Sequence, residues 1–386
     1  SLKLRFENLF PIPSYNSYLY YNLKMINCVY IHIPFCEKKC SYCAFCSYTV
    51  LKYKYDYIEA LLKEIKFHYK NNYLSTIYFG GGTPSLLDKT DIEKILKVFN
   101  YDKNTEVTLE INPNSLTKDK LDFYYDIGIN RLSLGVQSFN DSILNNIGRI
   151  HNLSDIYRSI DFIKNSKINN FSIDLMYGLP EQNLENWEDT LKKALKISPE
   201  HISLYGLKIE KGTSFYKNLP KNLPSDDMQT VMYNLAVKEL SKNYLHYEFS
   251  NFAKNRDFIS KHNTNYWKRG NYFGFGVSAS GFIENKRYTN TSNLKEYLLN
   301  PCEKKYEILS KQNEIEEEIF LGLRLYEGIN FNLINKKYNI DIYKTYKKIF
   351  DKFLKDGFLE LTDNGVKLTL KAIPVSNEIL CEFIDV

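Results

Sequence analysis

No apolar stretch of the sequence approaches the roughly 18 to 20 residues that a membrane-spanning helix needs. The first 24 residues, SLKLRFENLFPIPSYNSYLYYNLK, lack the apolar centre and small-residue cleavage site of a secretory signal. Both absences point to a cytoplasmic protein, with Met25 as a candidate start and residues 1–24 as an irregular extension. Cysteine is scarce: outside a run at 36–46 only Cys28, Cys302 and Cys381 occur, too few and too scattered for a framework of paired disulfides. Charge of one sign is missing too. The 51 Lys and Arg stand against 46 Asp and Glu, interspersed along the chain, which argues against a nucleic-acid partner. Glycine is thin, with 17 residues against an average of about 7%. No internal repeat or low-complexity tract is present.

What remains reads as a globular protein with 44% hydrophobic and 25% charged residues. A length of 386 exceeds one ordinary core and suggests one large domain plus a smaller one. From residue 27, β-rich runs alternate with amphipathic helical runs. Strands are expected at 27–33, 75–80, 106–112, 131–138, 171–178 and 201–207, and helices at 55–69, 117–128, 154–166, 184–197 and 226–242. Strand-then-helix units with right-handed crossovers imply a parallel α/β sheet, complete or partial as a barrel, over residues 25–245. Residues 246–311 change to aromatic, glycine-rich text with HYEFSNFA, HNTNYW and NYFGFGVSASGF. Residues 312–386 carry helices and then FLELTDNGVKLTL, a hairpin turning at Asp363-Asn364-Gly365, which predicts a small α/β winged-helix-like module. A winged helix raises DNA binding as a reading, but acidic and basic residues are evenly mixed here.

The chemistry-bearing residues fall at one end of the expected barrel, where ligands bind at the carboxyl ends of the strands. The run YIHIPFCEKKCSYCAFCSY (30–48) follows strand one, GGGTP (80–84) follows strand two, Glu110 ends strand three, Gln137 ends strand four, and Asp174 lies in strand five. Cys36, Cys40 and Cys43 have C-x3-C-x2-C spacing. Zinc usually asks for a second, distant cysteine pair, which is absent. Three thiolates on one loop can instead hold a four-iron cluster and leave one iron open, an arrangement suited to catalysis. The cluster is the favoured reading. Three consecutive glycines, Gly80, Gly81 and Gly82, would let backbone approach a ligand closely.

Tyr30-Ile31-His32-Ile33-Pro34-Phe35-Cys36, the C-x3-C-x2-C run and Gly80-Gly81-Gly82-Thr83-Pro84, followed in order by LEINP, LSLGVQSF, GRIHN, IDLMYGLP, SNFA and HNTNYW, resemble the radical S-adenosylmethionine superfamily. Within it they resemble the branch that holds oxygen-independent coproporphyrinogen III oxidase and the HemW-type heme chaperones. The resemblance implies a partial (β/α) barrel, with a [4Fe–4S] cluster on Cys36, Cys40 and Cys43. It implies S-adenosylmethionine bound by Tyr30, Gly81, Gly82, Thr83, Glu110, Gln137, Arg149 and Asp174, with Tyr42 packing on the adenine. The oxidase pattern continues as C-x2-C-x-C, placing a fourth cysteine where this chain has Phe45, the chaperone's residue; Cys46 is one place late and reads as a non-ligand. HNTNYW matches the HNxxYW signature associated with heme binding, making His262 the candidate heme ligand. The expected function is a heme chaperone without oxidase activity, passing heme to acceptor proteins such as membrane respiratory enzymes. The alternative is the oxidase, which turns propionates of coproporphyrinogen III into vinyl groups. An exposed cluster could also sit at the interface of a homodimer.

Overall fold

Alternation along the strands sets the architecture. The computed structural model describes residues 26–384, and in it β1 (Cys28–Ile33) buries Val29, Ile31 and Ile33 completely, while Tyr30 and His32 occupy the opposite face. The same period of two recurs in β2 (Thr76–Gly81), β3 (Glu106–Ile111), β4 (Arg131–Gln137), β5 (Phe171–Tyr177) and β6 (His201–Gly206). One face carries Ile77, Phe79, Val107, Leu109, Leu132, Leu134, Ile173, Leu175, Ile202 and Leu204, all essentially inaccessible. The other presents Tyr78, Glu110, Ser133, Gln137, Asp174 and Ser203. A parallel sheet covered on both faces normally reads as continuous apolar runs. Here the inner face is polar, as expected of a barrel whose lumen receives something other than its own core.

The six strands pair in sequence order, all parallel. The intervening helices are α1 (Lys54–His68), α2 (Lys89–Leu96), α3 (Lys118–Asp126), α4 (Leu153–Lys164), α5 (Leu184–Ile197) and α6 (Asp226–Leu240). Capping boxes at Asn152 and Asn183 start α4 and α5 by satisfying main-chain N–H groups that have no helical partner. Helix α5 buries Trp187, Leu191 and Ala194 at helical spacing against the core.

The sheet continues past residue 245, where the sequence pattern suggested a boundary. Strands β7 (Leu245–Glu248) and β8 (Asn251–Ala253) add antiparallel beyond β6, and β9 (Phe273–Phe275) lies parallel to β1 at the opposite edge. The order is β7-β8-β6-β5-β4-β3-β2-β1-β9, a nine-stranded partial barrel. The HNTNYW stretch forms a short helix, α7 (Lys261–Trp267). A three-stranded antiparallel sheet follows, β10 (Ser280–Ile283), β11 (Lys286–Thr289) and β12 (Lys305–Ile308). The last module holds α8 (Lys311–Gly322), β13 (Ile329–Asn330), α9 (Phe331–Tyr338), α10 (Lys347–Lys355), β14 (Leu359–Thr362) and β15 (Gly365–Leu368). It has its own core around Ile319, Phe350, Val366 and Phe383. Its hairpin turns at Asp363-Asn364 as expected, with Gly365 opening β15, and β13 adds a third strand. Buried Arg269 ties the module down through Glu317 at 2.9 Å and Glu314 at 3.6 Å. Among the described residues no helix is long and apolar enough to cross a membrane. The extension assigned to residues 1–24 lies outside the described residues.

Candidate functional site

The cysteine loop leaves β1 at the carboxyl end of the barrel and is closed at its neck by main-chain bonds, Cys36 N–H to Tyr48 O at 3.1 Å and Tyr48 N–H to Pro34 O at 2.6 Å. Two further bonds fix it from outside: Ser41 N–H donates to Ile147 O, and Phe215 N–H donates to Ser41 O, each at 3.0 Å. His32 reaches up from the lumen to hold Cys46 O through Nε2 at 2.8 Å, with Tyr30 Oη on Nδ1 at 3.0 Å. Cys36 is buried; Cys40 and Cys43 are half-buried, and Cys43 N–H bonds to Cys40 O across a tight turn. Burial raises the Cys36 and Cys43 thiols above their ordinary range, outweighing the opposite pull of Arg149 on Cys36 and of Lys39 on Cys43.

Two donors approach the sulfurs. Thr83 Oγ1 lies 3.7 Å from Cys36 Sγ, and Arg149 Nη1 lies 3.6 Å from Cys40 Sγ. Such donors tune the electron density of a sulfur ligand. Cys46 points elsewhere, its sulfur directed to Ser292 O at 3.6 Å and the Tyr48 hydroxyl at 3.7 Å. Phe45 is 67% exposed.

At the glycine row the backbone packs closely beneath the cysteine loop. A Cβ on Gly82 would stand 2.7 Å from Phe35 O and 3.0 Å from Cys36 Sγ, so any side chain there would push the cysteine loop off the barrel. Gly81 has φ +114°, a conformation side chains resist, and its N–H points at the Glu110 carboxylate at 3.1 Å.

Below the loop, Tyr30, Tyr78, Glu110, Arg149 and Asp174 are half-buried among otherwise buried neighbours, so they face space reachable from the barrel mouth. Glu110 accepts from the Tyr78 hydroxyl at 2.8 Å, and desolvation pushes its carboxyl up to about 7. Asp174 accepts from Ser133 Oγ at 3.1 Å and is likewise raised, chiefly by burial. Arg149 donates to Gly135 O at 2.6 Å and Asn112 Oδ1 at 2.9 Å, yet its Nε is buried without a partner. Gln137 sits at φ +65° beside an irregularity in the β4–β5 pairing, which re-aims it at the strand end. Asn112 links Thr83 to Arg149, its Nδ2 donating to Thr83 Oγ1 at 3.0 Å. Neither Asn112 nor Tyr78 was singled out from the sequence, although Asn112 lies within LEINP. Tyr42 sits half-buried against the main core, among Arg149, Cys40 and Cys43.

The structure therefore gathers the expected residues about the cysteine loop and the lumen below it, with His262 the deepest of them, 6.5 Å from the Tyr30 ring. His262 is 1% exposed, near the amino-terminal ends of β2 and β3. Its Nδ1 is paired with Thr76 Oγ1 at 2.7 Å and its Nε2 with Tyr266 Oη at 2.8 Å, and its main-chain N–H donates to Glu106. Both ring nitrogens are thus paired with hydroxyls and the ring is stacked on Tyr78 at 5.0 Å, which fastens α7 to the barrel.

Among the described residues no three His, Cys, Asp or Glu side chains converge as ligands of a single ion. Ligands on separate corners of a cluster stand further apart than those of one ion, so the soft thiol set, the sulfur-directed donors, the unpartnered Arg149 Nε and the space left by Gly82 fit a cluster with a polar ligand beside it.

A partial barrel with a three-cysteine loop over a polar lumen defines a radical S-adenosylmethionine protein, and the family model described as the Radical SAM superfamily matches residues 30–194. Such a domain implies a [4Fe–4S] cluster and S-adenosylmethionine. The HemN C-terminal domain model matches residues 309–375. The heme chaperone HemW of Lactococcus lactis is 36% identical over 374 residues, covering 94% of this chain and 98% of that protein. Its counterpart in Bacillus subtilis is 35% identical, covering 92% and 98%. The chain belongs to the HemW family. In fold it is similar to coproporphyrinogen III oxidase (HemN) from Escherichia coli, with TM-score 0.83 at 24% identity, over 94% of this chain and 91% of that one.

Proposed function

We propose that this protein is a heme chaperone of the cytoplasm, binding heme and passing it to acceptor proteins, respiratory enzymes among them. The observation that carries this reading is similarity along 98% of the heme chaperone of L. lactis. Phe45 supports it, an exposed aromatic in the place where the oxidase pattern has a cysteine.

Cys36, Cys40 and Cys43 are assigned as the thiolate ligands, and the cluster they would hold can supply one electron to the sulfonium of S-adenosylmethionine. The remaining residues position that ligand. Main-chain groups of Gly81, Gly82 and Thr83 approach it without side-chain interference, and Arg149 can pair with its carboxylate. Glu110 and Asp174 accept from its ammonium or ribose hydroxyls. Gln137 lines the same rim, and Tyr30 and Tyr42 flank it. His262 is the candidate heme ligand, and to reach iron through Nε2 it would give up its bond to the Tyr266 hydroxyl.

The oxidase fold match makes the alternative worth a direct test. Reconstituted protein incubated anaerobically with coproporphyrinogen III, reductant and S-adenosylmethionine should leave the porphyrinogen unchanged. Protoporphyrinogen accumulating over many turnovers would establish the oxidase instead.

A further inference from the structure

Strand pairing sets Ser172 of β5 between Ser133 of β4 and His201 of β6, and sets Asp174 beside Ser203. Alternation turns all five toward the lumen. Ser172 and His201 are completely buried and Ser203 nearly so, so bulk water does not compete for their hydrogen bonds. Their contacts form an unbroken line. Ser203 bonds the Asp174 carboxylate, and Ser172 Oγ lies 3.3 Å from Ser203 Oγ and 2.8 Å from His201 Nδ1. His201 Nε2 lies 2.8 Å from Tyr247 Oη, and the main-chain N–H of Ser260, the residue that caps α7, donates to the same oxygen at 3.4 Å.

The count of hydrogens fixes the direction of this line. Asp174 as a carboxylate only accepts, so Ser203 spends its single hydrogen there. Ser203 then accepts from Ser172, whose own hydrogen is spent in turn, and Ser172 must accept from His201 Nδ1. Burial and the neighbouring Arg131 guanidinium push His201 well below its ordinary range, so the ring is neutral and carries one N–H. That N–H sits on Nδ1, which leaves Nε2 to accept from the Tyr247 hydroxyl. Every donor from Ser260 inward therefore points toward Asp174. With the proton on Nε2 instead, the Ser172 hydrogen would turn to His201 and Ser203 would lose its donor.

Hydrogen bonds in a chain polarise one another, so a hydroxyl that is itself accepting donates more strongly. Asp174 needs that support, because burial favours its protonated form while the Ser203 and Ser133 hydroxyls favour the carboxylate. Only the carboxylate has its full capacity to accept from a ribose hydroxyl or an ammonium.

We propose that Ser203, Ser172, His201 and Tyr247 form a one-way hydrogen-bond line that aims Asp174 as an acceptor, and that His201, with its proton on Nδ1, is a positioning residue for S-adenosylmethionine. This role depends on Asp174 contacting that ligand, as proposed above.

Two measurements on the full chain test it. With isotope-labelled histidine, long-range nitrogen–proton spectra distinguish the two neutral tautomers, and the signal that disappears in His201→Gln is that of His201. It should show the proton on Nδ1; a proton on Nε2, or a doubly protonated ring at neutral pH, would overturn the line without any variant having to fold. The second measurement is calorimetric titration of S-adenosylmethionine into reconstituted protein, with iron content and thermal unfolding checked for each variant. Ser172→Ala should bind about tenfold more weakly, the scale of a hydrogen bond that supports a charged group. Ser172→Thr keeps the hydroxyl and should bind as wild type does. Ser172→Ala that binds like wild type while Asp174→Asn is weakened would overturn the line and leave Asp174 in the site, as would Ser172→Thr no better than Ser172→Ala. Asp174→Asn that binds like wild type would remove Asp174 from the site, and the role of His201 with it.

Discussion

Glu110 shows how one buried acid couples the site to pH. Its folded pKa of about 7 exceeds the ordinary 4.5, so between those values the folded chain holds a proton that the unfolded chain has lost. Its contribution to stability is full below about pH 4.5 and fades as pH rises through about 7. Glu110→Gln removes that dependence. Thermal unfolding should show the variant gaining on wild type by about 1 to 2 kcal/mol between pH 5 and pH 8, after allowance for partial access of water; parallel profiles would refute the assignment. The cysteines divide in the same testable way. After anaerobic reconstitution, Cys36→Ala, Cys40→Ala and Cys43→Ala should each lose the iron and the brown absorbance, while Cys46→Ala, whose sulfur faces Ser292, should keep both. Loss in the Cys46 variant would reassign the fourth cysteine. These three candidate ligands were legible because a loop that wraps a cluster must carry them close together in sequence. The surroundings of His262 were not, since its partners Thr76 and Glu106 lie far back in the chain.

At the scale of elements, the six parallel strands and five long helices fall within two residues of where periodicity placed them, because each is long enough to express its period. Strands β7, β8 and β9, with three or four residues each, are too short to do so. Their stretch reads only as aromatic, glycine-rich text, although they complete the sheet at both edges. What anchors that later segment is a charge. Glu64 of α1, fully buried, pairs with Lys304 Nζ at 2.7 Å and also accepts from Tyr297, Asn290 and the N–H of Gly276. Lys304→Ala would leave the carboxylate buried without its cation, at a cost of about 3 to 5 kcal/mol. Denaturant unfolding should show that loss, and Lys304→Met combined with Glu64→Gln should recover part of it. A single variant within about 0.5 kcal/mol of wild type would mean the pair contributes little.

At the scale of the whole molecule, a polar lumen under a cysteine loop, a sheet closed at both edges by later strands and a separately cored terminal module make one coherent account. Barrel, cysteine loop and terminal hairpin were all visible in the sequence. The tether between barrel and module was not, because Arg269 meets Glu317 only after folding. The central claim concerns heme, and one measurement meets it directly. Reconstituted protein loaded with heme under anaerobic conditions and mixed with an apo heme protein should lose its heme absorbance as the acceptor gains its own spectrum and activity. Heme that never binds, or that stays on this protein whatever acceptor is offered, would contradict the chaperone reading.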